Sequence, residues 1–304
     1  MSVPNKKVVI VAALNGGMQR DRDGAKVPIT PAEIAEDAYL CYKAGAAIIH
    51  VHARDGSGRN TGDPAVYSEI IRRIRDKCDV LIQTTNGIGV RRDPATGDFI
   101  WPTDEERLAL LNIEPRPDLY GIAAGSMDFY HPEGGYPGET PYMNSPNFLR
   151  TTLPHVYRIG STVEFELTEV NVVHRLSRLA DEGIIDRHAS NLWMLHGGGI
   201  GNTPPTARAL VYSRDEQERL FPNAKWGVLG AGRAQFTMAA LGLAMNCDTV
   251  RVGFEDNIYL PNGKPGKRNH DLVEAAVTLA SSLAREPATP AEARAVFGLK
   301  DHAR

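Results

Sequence analysis

Eight short apolar runs, each followed by an amphipathic stretch that opens on a helix-start signal, constrain this chain more than any other feature. The runs lie near Val8–Leu14, Ala47–His52, Val80–Thr85, Leu119–Ala123, Val163–Leu167, Leu192–Leu195, Trp226–Leu229 and Thr249–Phe254. After the first run a long polar loop leads to Thr30-Pro31-Ala32-Glu33, a capping box with proline at the first helical position. Asp63-Pro64 and Thr103-Asp104-Glu105-Glu106 open the next two helices, the first of which ends near Lys77. Later helices are expected over 147–157, 172–182, 206–220, 235–245 and 271–283, and Thr289-Pro290-Ala291-Glu292 caps a short terminal one. Strands separated by helices are mostly parallel, because the chain must cross back over the sheet. Eight such units in 304 residues predict a single closed (β/α)8 TIM barrel spanning 1–304, with an open doubly wound sheet as the alternative.

Composition narrows the function classes. A net charge of -3 supplies no electrostatic footprint for nucleic acid or an anionic membrane. The three cysteines, Cys41, Cys78 and Cys247, are odd in number and lack paired spacing, which points to reduced thiols in a cytoplasmic protein. No apolar run approaches the roughly 18–20 residues of a membrane span. Lys6-Lys7 before Val8–Leu14 imitates a short secretory leader, but the run enters Asn15-Gly16-Gly17 without a cleavage signal, so a buried first strand explains it better.

Within the second run, His50 and His52 sit one residue apart. Alternate strand residues share a face, so both imidazoles point to one side while Ile49 and Val51 point to the other. In such barrels the chemistry lies at the carboxyl ends of the strands. The last run reads "DTVRVGFEDN", residues 248–257, and there Arg251, Gly253 and Glu255 are expected to face inward with Asp256 opening the loop. Two imidazoles and a carboxylate form a three-ligand set for Zn²⁺ that leaves a position open, although non-haem iron accepts the same donors. A hydrogen-bonded core histidine and a plain Arg–Glu salt bridge are the ordinary structural alternatives.

Other strand ends are rich in small and polar residues. "QTTNGIG" (83–89), "AAGSMDF" (123–129), "LHGGGIGNTP" (195–204) and "GAGR" (230–233) could bring backbone N–H groups to an anion, or could simply be tight turns. Gly197–Gly201 and Gly230–Arg233 lie where barrels often bind phosphate. His196 is a further candidate ligand or base, with an orienting role as the simpler expectation.

Taken together these residues resemble the β-keto acid cleavage enzymes, the family that includes 3-keto-5-aminohexanoate cleavage enzyme. The resemblance runs from "AALNGG" (12–17) to "ATPAEAR" (288–294) and is most specific in "TPAEIAEDAYLCYKAGAAIIHVHARD" and "RVGFEDNIY", with "GAGR" before the second. It implies a (β/α)8 barrel, commonly tetrameric, that binds Zn²⁺ and converts a β-keto acid and acetyl-CoA to acetoacetate and a new acyl-CoA. By motif it implies His50, His52 and Glu255 as zinc ligands and Arg251 with Asp256 as the proton-transfer pair. Asn15, Thr85, Asn86, Gly87 and Ser126 are expected on the substrate, and Arg233 on the coenzyme. Glu166 is a possible counterpart of the acid that holds an amine in some relatives. This chain has Thr85-Asn86-Gly87 where relatives often have Thr-Gly or Ser-Gly, and Asn15 where some carry another polar residue.

Two competing classes make different demands. An amidohydrolase-type zinc hydrolase also uses His-x-His, but normally on the first strand, which here ends in Asn-Gly-Gly. A catalytically silent metal-binding barrel would keep His50, His52 and Glu255 without needing Arg251 and Asp256.

Overall fold

The computed structural model describes residues 6–93, 95–96, 98–131, 136–189, 192–199 and 203–299. In chain order the elements begin with β1 (Val9–Ala13), α1 (Pro31–Ala44), β2 (Ile48–Val51), α2 (Pro64–Lys77) and β3 (Leu81–Thr85). A small hairpin, β4 (Arg91–Arg92) and β5 (Phe99–Ile100), precedes α3 (Asp104–Ala109) and β6 (Leu119–Ala123). A second hairpin, β7 (Met127–His131) and β8 (Tyr136–Tyr142), precedes α4 (Pro146–Arg158). Then follow β9 (Thr162–Leu167), α5 (Asn171–Asp181), β10 (Leu192–Gly197), α6 (Ala207–Leu220), β11 (Lys225–Gly230), α7 (Gln235–Ala244), β12 (Thr249–Val252), α8 (Asn269–Ser282) and α9 (Pro290–Phe297).

Eight strands close a parallel barrel in the order β1-β12-β11-β10-β9-β6-β3-β2, which rules out the open sheet. The start signals act as expected: Thr30, Thr103 and Thr289 each complete a capping box, and the Asp63 carboxylate accepts from the Ala65 N–H. Neither hairpin is foreshadowed by the strand–helix alternation, since both lie in connections on the carboxyl side of the barrel. Strand β12 is also shorter than expected. Its chain turns at Gly253, whose φ of +137° suits glycine and whose missing Cβ would stand 2.2 Å from the Ala13 carbonyl oxygen.

Two apolar layers follow from strand alternation. Ile10, Ile49, Ile82, Val250 and Val252 face outward under the helices, together with Phe254 just beyond β12. Val9, Val11, Ile48, Leu81, Leu119, Leu192 and Leu229 fill the inside, where Ala293 and Phe297 of α9 join them. The terminal helix therefore seals the amino end of the barrel, and polar side chains are concentrated toward the other end. No helix among the described residues is long and apolar enough to cross a membrane.

Candidate active site

Parallel register builds the site. His50 on β2 is paired with Ala13 of β1 and with Gln83 of β3, so the His50 and Gln83 side chains stand together inside the barrel. The His50 Nδ1–H donates to Gln83 Oε1 at 2.7 Å, and the His52 Nδ1–H donates to the Ile88 carbonyl at 3.0 Å. Space for the His50 ring comes from β6: a Cβ on Gly121 would sit 3.3 Å from its Cε1. Asn15, just beyond β1, clamps the histidine strand. It accepts from the His52 N–H at 3.0 Å and donates to the carbonyls of His52 at 2.9 Å and Pro28 at 3.1 Å.

With both Nδ1 atoms engaged, both Nε2 atoms face Glu255. His50 Nε2 lies 3.3 Å from one carboxylate oxygen and His52 Nε2 3.4 Å from the other. Burial holds the His50 imidazole down at about 4, against the pull of Glu255, so it is neutral near pH 7. The His50 lone pair then meets an ionised carboxylate with no proton between them, and His50 Nε2 and one Glu255 oxygen are buried without a hydrogen-bond partner. A divalent cation resolves that arrangement. Among the described residues His50, His52 and Glu255 are the group whose ligand atoms converge, all within 4.8 Å of one another.

Glu255 reaches this position from the turn after Gly253, not from the strand as expected. Its N–H bonds the Ala13 carbonyl at 3.1 Å, while its own carbonyl accepts from Gln19 Nε2 at 2.8 Å. Behind it, buried Arg251 gathers three carboxylates. It holds Asp256 with Nε at 2.9 Å and Nη2 at 3.1 Å, Glu255 at 2.7 Å and Glu166 at 3.2 Å. Burial would raise the Glu255 carboxyl, but Arg251 holds it well below the usual range. Burial and the adjoining Glu255 charge push Asp256 up to about 6, against Arg251. Three carboxylates on one guanidinium leave an excess of negative charge, which again favours a dication beside them.

A cavity of about 310 Å³ opens onto this cluster, lined by His52, Thr85, Gly87, Glu166, Glu255 and Asp256 among others. His196 lines it too, its Nε2 without a hydrogen-bond partner and 4.0 Å from Glu166. Trp101 stacks on Tyr142 at 4.5 Å, and these rings with Met127 form an apolar stretch of wall.

Four expected contacts lie elsewhere. Asn15 is buried and engaged with the His52 and Pro28 backbones, off the cavity lining. Asn86 is buried behind the Gly87 turn and accepts from Arg107 through both its carbonyl and its side chain. Ser126 accepts from the Asn144 N–H at 2.8 Å, which ties the β6 end to the segment after β8. Arg233 stacks over Tyr259 at 4.0 Å and lines a separate groove beside α7. Of the glycine-rich turn after β10, Gly197–Gly199 are described, while 200–202, and so Gly201, lie outside the described residues.

Several participants escaped sequence reasoning. Gln83 and Glu164 interrupt apolar strands at inward positions, the same signal that singled out the histidines. Glu164 sits one pleat below Glu166, and burial raises its carboxyl to about 7. Arg107, buried and bonded to Asn86, Tyr142 and Asn144, carries no such signal, because its partners arrive from two segments distant in the sequence.

Fold and site together define a barrel enzyme in which two histidines and a carboxylate that could hold a metal ion converge beside an arginine-held aspartate. The chain belongs to the beta-keto acid cleavage enzyme family, whose model matches residues 7–299. It is 35% identical over 296 residues to the 3-keto-5-aminohexanoate cleavage enzyme of Fusobacterium nucleatum subsp. nucleatum, covering 97% of this chain and 99% of that one. It is 31% identical over 315 residues to the 3,5-dioxohexanoate:acetyl-CoA acetone transferase of Paraburkholderia graminis, covering 97% and 96%. The solved binary complex of ObcA with oxaloacetate shares the fold at a TM-score of 0.76 and 20% identity, over 90% of this chain and 68% of that one.

Proposed function

We propose that this protein is a zinc-dependent acyltransferase that converts a β-keto acid and acetyl-CoA to acetoacetate and a new acyl-CoA. The observation that carries the reading is the convergence of His50, His52 and Glu255 beside the Arg251–Asp256 pair at the edge of one cavity. The family membership and the acetyl-CoA named for the Paraburkholderia relative support it. Zinc bound by the three ligands would act as a Lewis acid toward the keto oxygen.

The protein's own groups supply the rest. Asp256 takes a proton from the methylene between the keto and carboxylate groups, using lone pairs not directed at the Arg251 fork. Arg251 fixes the carboxylate and remains protonated, since the carboxylates around it hold its guanidinium well above an already high range. Thr85 and the Gly87 turn receive the substrate carboxylate, and His196 reaches the keto oxygen or the thioester oxygen. The enolate carbon bonds to the acetyl carbonyl carbon, and coenzyme A thiolate leaves. Thiolate then attacks the original keto carbon, whose bond to the methylene carbon breaks, and Asp256 returns its proton to that carbon, so acetoacetate departs with the donor's carboxylate and methylene carbons.

Trp101, Met127 and Tyr142 favour an apolar substrate tail. The carboxylates among the described lining residues, Glu166, Glu255 and Asp256, are all held on Arg251. The test is incubation of purified protein with acetyl-CoA and β-keto acids labelled with ¹³C in the carboxyl group, read by mass spectrometry. Label in acetoacetate with formation of a new acyl-CoA is the expected result. Unlabelled acetoacetate, or free acids formed without acetyl-CoA, would overturn the reading and favour a hydrolase.

A further inference from the structure

The loop after β1 stands between two spaces. One is the catalytic cavity; the other is a cleft of about 350 Å³ whose walls carry Arg20, Arg54, Arg59, Arg91 and Arg92. Gly17, Met18 and Val90 line both, so the spaces meet along that edge. No carboxylate lines the cleft among the described residues. Arg59 and Arg91 are balanced from outside it, by Asp55 at 3.2 Å and Glu106 at 2.8 Å.

Arg54 is the unusual member. It is 4% exposed, and its hydrogen bonds among the described residues run to backbone carbonyls: Gly16 at 2.7 Å, Gly58 at 3.1 Å and Gln19 at 3.2 Å. Its Nε has no hydrogen-bond partner. A buried cation bonded to backbone carbonyls and to no carboxylate among the described residues, in a cleft it shares with Arg20, is the counterpart of an anion that arrives with a ligand. Planar guanidinium forks suit phosphate oxygens in particular.

We propose that this cleft binds the phosphate-bearing nucleotide end of the thioester co-substrate, whose pantetheine arm crosses the Met18–Val90 edge into the catalytic cavity. The assignment rests on the acetyl-CoA-dependent reading above, and it differs from the sequence expectation that placed the coenzyme on Arg233. Phosphate held by Arg54 would also brace the 16–19 turn, which Arg54 grips at Gly16 and Gln19 and which touches the Glu255 backbone through Gln19. Coenzyme binding is thereby linked mechanically to a metal ligand.

Exposed Arg20 is the position to change, because its replacement leaves the core intact. Arg20→Glu should raise the KM for acetyl-CoA at least tenfold more than the KM for acetyl-pantetheine, which lacks the nucleotide phosphates. Calorimetry with adenosine 3′,5′-bisphosphate should show binding to the wild type and at least tenfold weaker binding to Arg20→Glu and Arg92→Gln. Failure of the bisphosphate to bind the wild type, or an unchanged KM ratio in Arg20→Glu, overturns the proposal. A shift of that ratio in Arg233→Ala instead would move the phosphates to the groove beside α7 and also overturn it. Bisphosphate binding that Arg20→Glu abolishes, in a protein that turns over no β-keto acid with acetyl-CoA, would sustain the cleft and sink the proposed reaction.

Discussion

Asn15 offers the sharpest separation between holding a metal ligand and touching a substrate. Its side chain makes three hydrogen bonds to buried backbone, two of them to His52. Asn15→Ala leaves the His52 N–H, the His52 carbonyl and the Pro28 carbonyl without these partners. At about 1 kcal/mol for each buried group left unsatisfied, the loss is about 3 kcal/mol, a large share of a typical folding stability. Because His52 is carried by that backbone, zinc affinity should fall about 10–100-fold, the usual effect of removing a group that orients a metal ligand. Asn15→Asp keeps the acceptor for the His52 N–H but turns an oxygen toward two carbonyls, so it should lose affinity in the same direction from a better-folded starting point. Urea denaturation measures the first quantity, and competition with a chromophoric chelator the second. A variant with wild-type stability and zinc affinity but a raised KM for the β-keto acid would refute this reasoning and make Asn15 a substrate contact.

The other predictions concern different parts of the molecule. Asp256→Asn should keep its zinc and its fold yet lose about 10²–10⁴-fold in kcat, with slowed exchange of the substrate's C2 protons into deuterated solvent; wild-type exchange would remove Asp256 from proton transfer. Asp37, buried against Asn269, has its carboxyl raised by burial from an ordinary 3.8 to about 6. The neutral acid is therefore the form the fold prefers, and the stability it contributes is complete below about pH 4 and lost as pH rises through about 6. Asp37→Asn should gain up to about 3 kcal/mol at pH 7.5 and nothing at pH 4, and a gain equal at both would contradict the assignment. Trp101→Ala should raise the KM for apolar-tailed β-keto acids about 5–30-fold, in line with 1–2 kcal/mol of lost apolar contact, while charged-tail analogues remain poor substrates; preference for a charged tail in the wild type would refute the apolar wall.

Much of this protein is written in local pattern. Alternating runs of period two and period 3.6, with Thr30, Asp63, Thr103 and Thr289 as caps, determine a parallel sheet of strand–helix units because each unit must bury one face and each connection must return over the sheet. The same alternation turns His50 and His52 inward, and their polarity within an apolar run marks them as functional. Closure was the tertiary structure's decision. Register between non-adjacent segments set Gln83 behind His50, brought Asn15 onto the His52 backbone, and let the Gly253 turn swing Glu255 back toward β1. Hydrogen-bond partners of that kind are chosen by where strands stop and how loops cross them, which no run of neighbouring residues encodes. Trp101 and Tyr142 make the point most plainly. They lie 41 positions apart on connections with no strand–helix signal, and they share a wall only because two hairpins fold over the same open end of the barrel.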